Sequence, residues 1–442
     1  MELTDPALER IDVAELRALQ ERKLLELAPD VVERSPLHAK IWRAAGVAPA
    51  FDSLDAFLAT APHTSKDAVR DFAVETGDPL GGLHLGRSGP VDYATSSGTT
   101  GAPTLHTNSA EDLEWQAVQG ARNFRAIGVR PGDTVGYALP QWVRPFLGNY
   151  EGLKLLGCDV ALIDWADVER LVHTISTVQA RAFFLASAPL LDSVAQATAA
   201  AGAAAPLGDA LEILGWGGDV LSPVARGRLA DRWSARIYNT AGLGDLGFVC
   251  FECEAQDGMH IWGDLFLAEI RDPASGRPVD GDERRGELVL TSLHRGSQPH
   301  LRWATGDMAT LYTSPCTCGR THPRVVLHGR LGDQVEVGAA TIAPTDVRER
   351  VRSVAGLEDA VIQVAKAPGL TGLQLRIGYE GSTAPTGSEL EAAVRDRVAD
   401  AYELQVEVEW IPLETLTRKG PPHKVPLTFS PGAPSDDQPS RE

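Results

Sequence analysis

Residues 133–186 read DTVGYALP (133–140), LGNYEGLKLLG (147–157), DVALID (159–164), VERLVHTISTV (168–178) and RAFFLA (181–186). Brief apolar runs alternate here with amphipathic stretches of helical length, which predicts strands joined by helices in α/β layers. The same rhythm extends from about residue 84 to 325. Upstream, LERIDVAELRALQERKLLELA (8–28) spaces Leu and Ile three and four apart and predicts a helical packing layer. Downstream, IWGDLFLAEI (261–270), GELVLTSL (286–293) and LRWATGDMATLY (301–312) are separated by Gly, Pro and Asp turns, the pattern of antiparallel hairpins in a small β-barrel-like part.

A new βαβ-like rhythm follows GRLGDQVEVGAAT (329–341): DAVIQVAK (359–366), LQLRIGYE (373–380), SELEAAVRDRVADAY (388–402) and QVEVEWIPL (405–413). The expected organisation is therefore a large multi-layer α/β domain over 1–329, a small α+β domain over 330–430, and a disordered Pro/Ser/Asp tail over 431–442. No internal repeat is present.

A chain of 442 residues, 43% hydrophobic and 23% charged, has ordinary globular composition and length for two or three domains. Wholesale disorder, coiled coil and small disulfide scaffolds are excluded. The formal charge is −19, with no basic run, so nucleic acid is not an expected partner. The N-terminal stretch has no apolar h-region and no run is long enough to span a bilayer, which predicts a soluble cytoplasmic protein without membrane contact. Five cysteines, an odd number, point to metal or thiol chemistry rather than a disulfide framework.

YATSSGTTGAPT (93–104) places the hydroxyls of Thr95, Ser96, Ser97, Thr99 and Thr100 beside Gly98 and Gly101. Hydroxyls and unobstructed backbone N–H groups suit phosphate oxygens, and glycine permits close approach. A Walker A reading fails for want of the Gly-Lys-Ser/Thr ending. The plainer alternative is a flexible Ser/Gly loop.

SSGTTGAPT resembles the phosphate loop of the adenylate-forming ligases, in particular the phenylacetate-CoA ligase family. Three further stretches follow in that family's order: IYNTAGLGDLG (237–247), RWATGDMA (302–309) and CGRTHPRVVLHGR (318–330). The resemblance implies that a carboxylic acid attacks ATP to give an acyl-adenylate, which passes its acyl group to a thiol, usually that of CoA, with Mg²⁺ on the phosphates. It places Ser96, Ser97, Gly98, Thr99, Thr100 and Gly101 on the phosphates. The same resemblance implies that Gly217, Gly218 and Asp219 form a wall against adenine, that Tyr238 stacks on it beside Asn239 and Thr240, and that Asp307 and Arg330 reach the ribose. Tyr137, Pro140, Trp142, Gly217 and Ala241 fall where the acyl pocket lies, and Gly332 and Asp333 where the small domain rotates. Members of the family also imply a homodimer.

Three positions depart from the family pattern. Ala102 stands where the phosphate loop carries lysine. The Y-G-x-[ST]-E motif, read from Tyr238, lacks its glutamate, leaving Asp245 as a candidate for Mg²⁺. The C-terminal catalytic lysine corresponds to Lys419 or Lys424 in LTRKGPPHKVPL, without clean alignment to either.

Cys253, His260, Cys316 and Cys318 offer three thiols and an imidazole, the donor set of a closed structural Zn²⁺ site. Cys250 is an alternative to Cys253, and unlinked free thiols are the alternative to metal. Cys158 reads as a small buried hydrophobe. His322 suits either the nucleotide or a turn, while His106 and His173 read as structural or surface residues.

The function expected on this basis is ATP-dependent activation of an aromatic acid, aryl or arylacetic, with transfer to CoA. Two alternatives stand: adenylation with transfer to a carrier protein, amine or hydroxyl in secondary metabolism, and a weakly active or inactive nucleotide-binding relative.

Overall fold

The computed structural model describes residues 6–86, 89–95, 104–164, 167–184, 191, 194, 210–217, 221, 223–243, 246–358, 360–379, 384–416 and 426–431. The chain divides into two compact units, Met1–Asp219 with Arg232–Leu327, and Val220–Asp231 with His328–Glu442.

The strands of the first unit are β1 (Thr64–Ser65), β2 (Asp92–Thr95), β3 (Leu105–Asn108), β4 (Thr134–Tyr137), β5 (Asp159–Leu162), β6 (Ala182–Phe184), β7 (Ile213–Trp216), β8 (Arg236–Leu243), β9 (Gly247–Phe251), β10 (Met259–Ile261), β11 (Phe266–Arg271), β12 (Glu283–Ser292), β13 (Trp303–Tyr312) and β14 (Arg324–Arg330), the last running three residues into the second unit. Among the described residues one twelve-stranded sheet runs β11-β12-β13-β14-β10-β9-β8-β7-β6-β4-β5, with β1 parallel to β13; β2 and β3 form a separate hairpin.

The stretch 133–186 supplies β4, β5 and β6, and the helices Pro145–Leu156 and Val168–Thr177 are its crossovers. Strands β5, β4, β6, β7 and β8 are mutually parallel. From β8 onward the pairing is antiparallel through β9 and β10, and β11, β12 and β13 form a meander. The meander carries the antiparallel part expected from 261–312, hydrogen-bonded into the same sheet as the parallel strands.

Helices Ala110–Ala126 and Pro145–Leu156 cross very closely. A Cβ on Gly152 would lie 2.8 Å from backbone atoms of Gly120 and Ala121, so only glycine permits this approach. Burial of Phe124, Phe146, Leu153, Phe184 and Phe251 then closes a core against the parallel strands. Ahead of the sheet, helices Val13–Arg34, Pro36–Ala45 and Leu54–Thr60 bury Leu24, Trp42 and Phe57 in their own cluster. Asp12, Ser35 and Ser53 cap their first turns.

In the second unit, β15 (Val335–Val337) and β16 (Ala340–Ile342) form a hairpin, and β17 (Ile362–Ala365), β18 (Leu373–Tyr379), β19 (Val406–Pro412) and β20 (Thr428–Phe429) a sheet in the order β19-β18-β17-β20. The parallel pair β18–β19 requires a crossover, supplied by helix Glu389–Tyr402, which buries Val394 and Val398 against Ile377 and Trp410. Strand β20, parallel to β17, has no counterpart among the expected elements. Among the described residues no helix is long and apolar enough to cross a membrane.

Candidate active site

The chain moves from β4 out to β5, then returns across β4 to β6 and on to β7 and β8, so the winding reverses beside β4. Ligands of open α/β sheets bind outside the carboxyl ends of the strands at such a reversal. The segment leaving β4 carries Pro140 and Trp142, the latter 46% exposed. Gly217 leaves β7, and Ala241 lies near the end of β8. Thr240 Oγ1 donates to Trp216 O at 2.7 Å, and Asn239 N donates to Glu252 Oε2 at 2.7 Å, tying the ends of β7, β8 and β9 together.

Strands β2 and β3 pair with Thr95 opposite Leu105, bracketing the hydroxyl-rich loop between two hydrogen-bonded ends. Thr95 N donates to Trp142 O at 3.0 Å, so the loop's first stem is fastened to the segment carrying Trp142. Beneath the second stem, Thr107 Oγ1 meets Ser297 Oγ at 2.9 Å, and Asp112 Oδ2 accepts from Ser109 and from Ser297 N at 2.9 Å. Burial alone would raise the Asp112 carboxyl; the nearby Arg144 charge and these hydrogen bonds outweigh it and hold it below its ordinary value.

Asp307 sits in a bulge. Glu287 pairs with Met308 and Val289 with Ala304, so Thr305, Gly306 and Asp307 together oppose Leu288. Gly306 takes φ +74°, Asp307 N donates to Thr305 Oγ1 at 3.1 Å, and Thr305 Oγ1 donates to Leu288 O at 2.9 Å. Burial, and then the Asp307 charge, push the Cys250 thiol upward; Cys250 is the β9 partner of Ala241. The bulge therefore brings Asp307 towards the end of β8.

Two aromatic assignments require correction. Tyr238 is 1% exposed and packs in the core with Phe124, Phe184 and Phe251, so neither face of its ring is open to an adenine. Tyr137 is 0% exposed and donates to Phe146 O at 2.9 Å, which makes it a core residue and not an acyl-pocket wall. Beyond Tyr238 on β8, Asn239 and Ala241 are half-buried and Gly242 is exposed.

Residues 96–101, Ala102, Gly218, Asp219, Asp245, Lys419 and Lys424 lie outside the described residues. In the second unit, Arg330 is exposed at the end of β14, and Gly332 and Asp333 form a short 3₁₀ turn whose Gly332 carbonyl accepts from Lys366. Burial raises the Asp333 carboxyl.

Cys253, His260, Cys316 and Cys318 present ligand atoms that all lie within 4.8 Å of one another. Cys253 Sγ and Cys316 Sγ are 3.8 Å apart, and Cys318 Sγ lies 3.5 Å from His260 Nε2. Ideal tetrahedral edges for Zn–S bonds of about 2.3 Å and Zn–N bonds of about 2.0–2.1 Å are about 3.8 and 3.5 Å, so the donor set fits that geometry. His260 Nδ1 donates to His322 O at 3.3 Å, which turns Nε2 towards the thiols. Hydrogen bonds from Cys253 and His260 hold the Cys318 thiol low. Of the open alternatives, Cys253 and not Cys250 belongs to this cluster. Cys158 is buried and donates to Arg130 O at 3.5 Å, and burial raises it to about 11.

Sequence reasoning missed a buried charged network beside the cluster. Glu9, 3% exposed, meets Arg125, Arg320 Nε at 2.7 Å and Arg122 Nε at 3.6 Å. Arg122 also pairs with Asp264 at 2.9 Å and lies 4.2 Å over the Trp262 ring. His322 accepts from Gly263 N at 2.7 Å and donates to Leu8 O at 2.8 Å, so it joins the N-terminal segment to the Cys/His loop and has no part at the strand ends.

No family model matches the chain. The phenylacetate-coenzyme A ligase of Thermus thermophilus is 32% identical over 351 residues, covering 77% of this chain and 76% of that protein. The phenylacetate-coenzyme A ligase of Aromatoleum evansii is 30% identical over 352 residues, covering 78% and 77%. Among solved structures, 2-hydroxyisobutyryl-CoA ligase in its postadenylation state, in complex with R3-HIB-AMP, matches with a TM-score of 0.83 over 97% of this chain and 92% of its own, at 22% identity, a likeness of fold. On the strength of identity and coverage together, the chain belongs to the phenylacetate-coenzyme A ligase family of AMP-forming acid–CoA ligases.

Proposed function

We propose that this protein activates an aromatic acid, aryl or arylacetic, with ATP and transfers the acyl group to CoA. A carboxylate oxygen attacks the α-phosphorus and pyrophosphate leaves; the CoA sulfur then attacks the acyl carbon, AMP leaves and the thiol proton is released. The observation that carries the substrate class is the similarity to phenylacetate-coenzyme A ligases across more than three quarters of both chains.

In this reading the 96–101 loop cradles the phosphates, Asp307 and Arg330 hold the ribose, and Lys419 or Lys424 neutralises the reacting carboxylate. Pro140, Trp142, Gly217 and Ala241 line the acyl site, and Gly332 with Asp333 form the hinge between domains that meet near residue 329. Gly218 and Asp219 back the adenine. Burial of Tyr238 favours a motif register three residues later, Ala241-Gly242-Leu243-Gly244-Asp245, with glycine second and a carboxylate fifth. Asp245 then replaces the glutamate as the Mg²⁺ ligand. Ala102 still removes one cation from the phosphates, a loss of a few kcal/mol at most by comparison with single electrostatic donors.

We also infer that Cys253, His260, Cys316 and Cys318 hold a structural Zn²⁺, whose role is to pin the 253–260 and 316–318 segments. Consumption of ATP and CoA supports a cytoplasmic location. The family resemblance supports a homodimer, which light scattering of the purified protein tests. The second reading, adenylation with a carrier protein, amine or hydroxyl as acceptor, is favoured by Ala102 alone.

Acid-dependent ATP–pyrophosphate exchange with benzoic, aminobenzoic, hydroxybenzoic and phenylacetic acids tests the proposal. Exchange with at least one acid, followed by CoA consumption, is the expected result. Exchange without CoA consumption supports the second reading, and no exchange with any acid overturns both.

A further inference from the structure

In a chain of charge −19, four arginines from three separate stretches of sequence converge on one cavity of about 530 Å³. Arg10, Arg125, Arg130 and Arg320 line it, with Glu254 as the single lining carboxylate among the described residues. Glu9 fixes two of these cations from behind: Arg125 donates to Oε1, and Arg320 Nε to Oε2 at 2.7 Å. Their guanidinium groups are thereby held in place before any ligand arrives. Arg10 and Arg130 are exposed and form no ion pair among the described residues.

The cavity adjoins the C-terminal end of helix Ala110–Ala126, an end that by itself disfavours anions. Arg181 Nη1 donates to Gly128 O at 3.1 Å and takes up that carbonyl. A Cβ on Gly128 would lie 3.3 Å from Glu254 Oε1 and 3.7 Å from Ile213 Cδ1, while Arg236 Nη2 donates to Glu254 O at 2.8 Å. Ile213 and Arg236 are the first residues of β7 and β8, so the cavity opens at the amino ends of the strands that carry Gly217 and Ala241 at their other ends.

We propose that this cavity is a second anion site, built for a phosphate dianion presented either as free phosphate or as the phosphomonoester of a small molecule. Guanidinium groups match phosphate oxygens bidentately, and the volume falls within the range of small-molecule sites. Cys318 also lines the cavity and is hydrogen-bonded by Arg320, so an occupant bears directly on the Cys/His loop.

The test is thermal unfolding of the full chain with inorganic phosphate or 3′,5′-ADP, against NaCl of equal ionic strength, for wild type and for Arg10→Gln/Arg130→Gln. Phosphate is expected to raise the unfolding temperature saturably in the wild type beyond the NaCl effect. The double variant should bind about tenfold more weakly or worse, through loss of charge-assisted contacts. Its phosphate-free unfolding temperature and acid-dependent exchange should match the wild type. A 3′,5′-ADP affinity well above that of phosphate, and lost in the same variant, assigns the site to a phosphomonoester such as CoA carries; equal affinities assign it to free phosphate. Identical shifts in both proteins, or a shift reproduced by NaCl, overturn the proposal.

Discussion

The carboxyl ends of the parallel strands and the buried network around Glu9 solve opposite problems. At the carboxyl ends, Pro140, Trp142 and Ala241 are ordered by backbone contacts and a few hydroxyl bonds, which leaves part of their surfaces available to a ligand. Around Glu9, by contrast, charges are paired with one another: Arg122 is 2% exposed, with Asp264 on one side and Glu9 on the other. A site for chemistry needs groups aimed at something absent, whereas a tie between distant segments needs every charge answered from within.

The largest effect that would break this contrast lies at the chemical end. Asp307→Ala should weaken ATP binding about 100-fold or more if its carboxylate accepts two ribose hydroxyls, at 1.5–3 kcal/mol for each charged hydrogen bond. Unchanged ATP affinity would place the nucleotide elsewhere. In the buried network, Asp264→Asn should leave ATP affinity intact and cost about 3–5 kcal/mol of stability, because Arg122 stays buried with a weakened partner. Chemical denaturation reads this directly, and a loss below about 1 kcal/mol would show the network to be dispensable. Cys316→Ser should lower the metal content of the purified protein and its unfolding temperature before it touches acid-dependent exchange; less than one equivalent of zinc in the wild type removes the zinc assignment.

Smaller effects sharpen the contrast. Trp142→Ala should raise the KM for the acid with little change in that for ATP, while Tyr238→Leu, which removes the ring, should lower the unfolding temperature and leave the KM for ATP unchanged, since its ring is core. A raised KM for ATP in Tyr238→Leu would restore Tyr238 to the adenine site. The smallest effect concerns His38, whose Nδ1 donates to Ser35 Oγ at 2.8 Å and whose Nε2 accepts from Leu301 N at 3.3 Å. Burial lowers its pKa to about 4. The unfolded chain takes up this proton first, so stability is full above pH 6.5 and declines as pH falls from there towards 4. His38→Gln should flatten that slope by up to one proton, measured by denaturation at several pH values.

Much of the fold was legible because the period of the pattern changes visibly between strand and helix in 133–186, and again after 329. The Cys/His cluster was legible because few residue types make such donors and two of them sit in Cys-x-Cys spacing. Tyr238 and Tyr137 were misplaced for a physical reason. Strands covered on both faces lose the alternation that tells inward from outward, so sequence alone does not show at which residue β8 becomes accessible. The Glu9 network left no local signal at all, since its partners are scattered along the chain and each arginine, taken singly, reads as a surface residue. For the same reason no basic run betrays the arginine cavity.

The join between His322 and Leu8 spans 314 positions, and that between Arg320 and Glu9 spans 311. During synthesis the segment around Leu8 and Glu9 therefore waits, its carboxylate unanswered, until residue 322 has left the ribosome. Native closure of the first unit is accordingly a late event with a high loop-closure cost, and partly made chains expose Trp262 and its neighbours meanwhile. Refolding should be slow and sensitive to protein concentration, and the acidic surface is then what keeps the waiting chains apart.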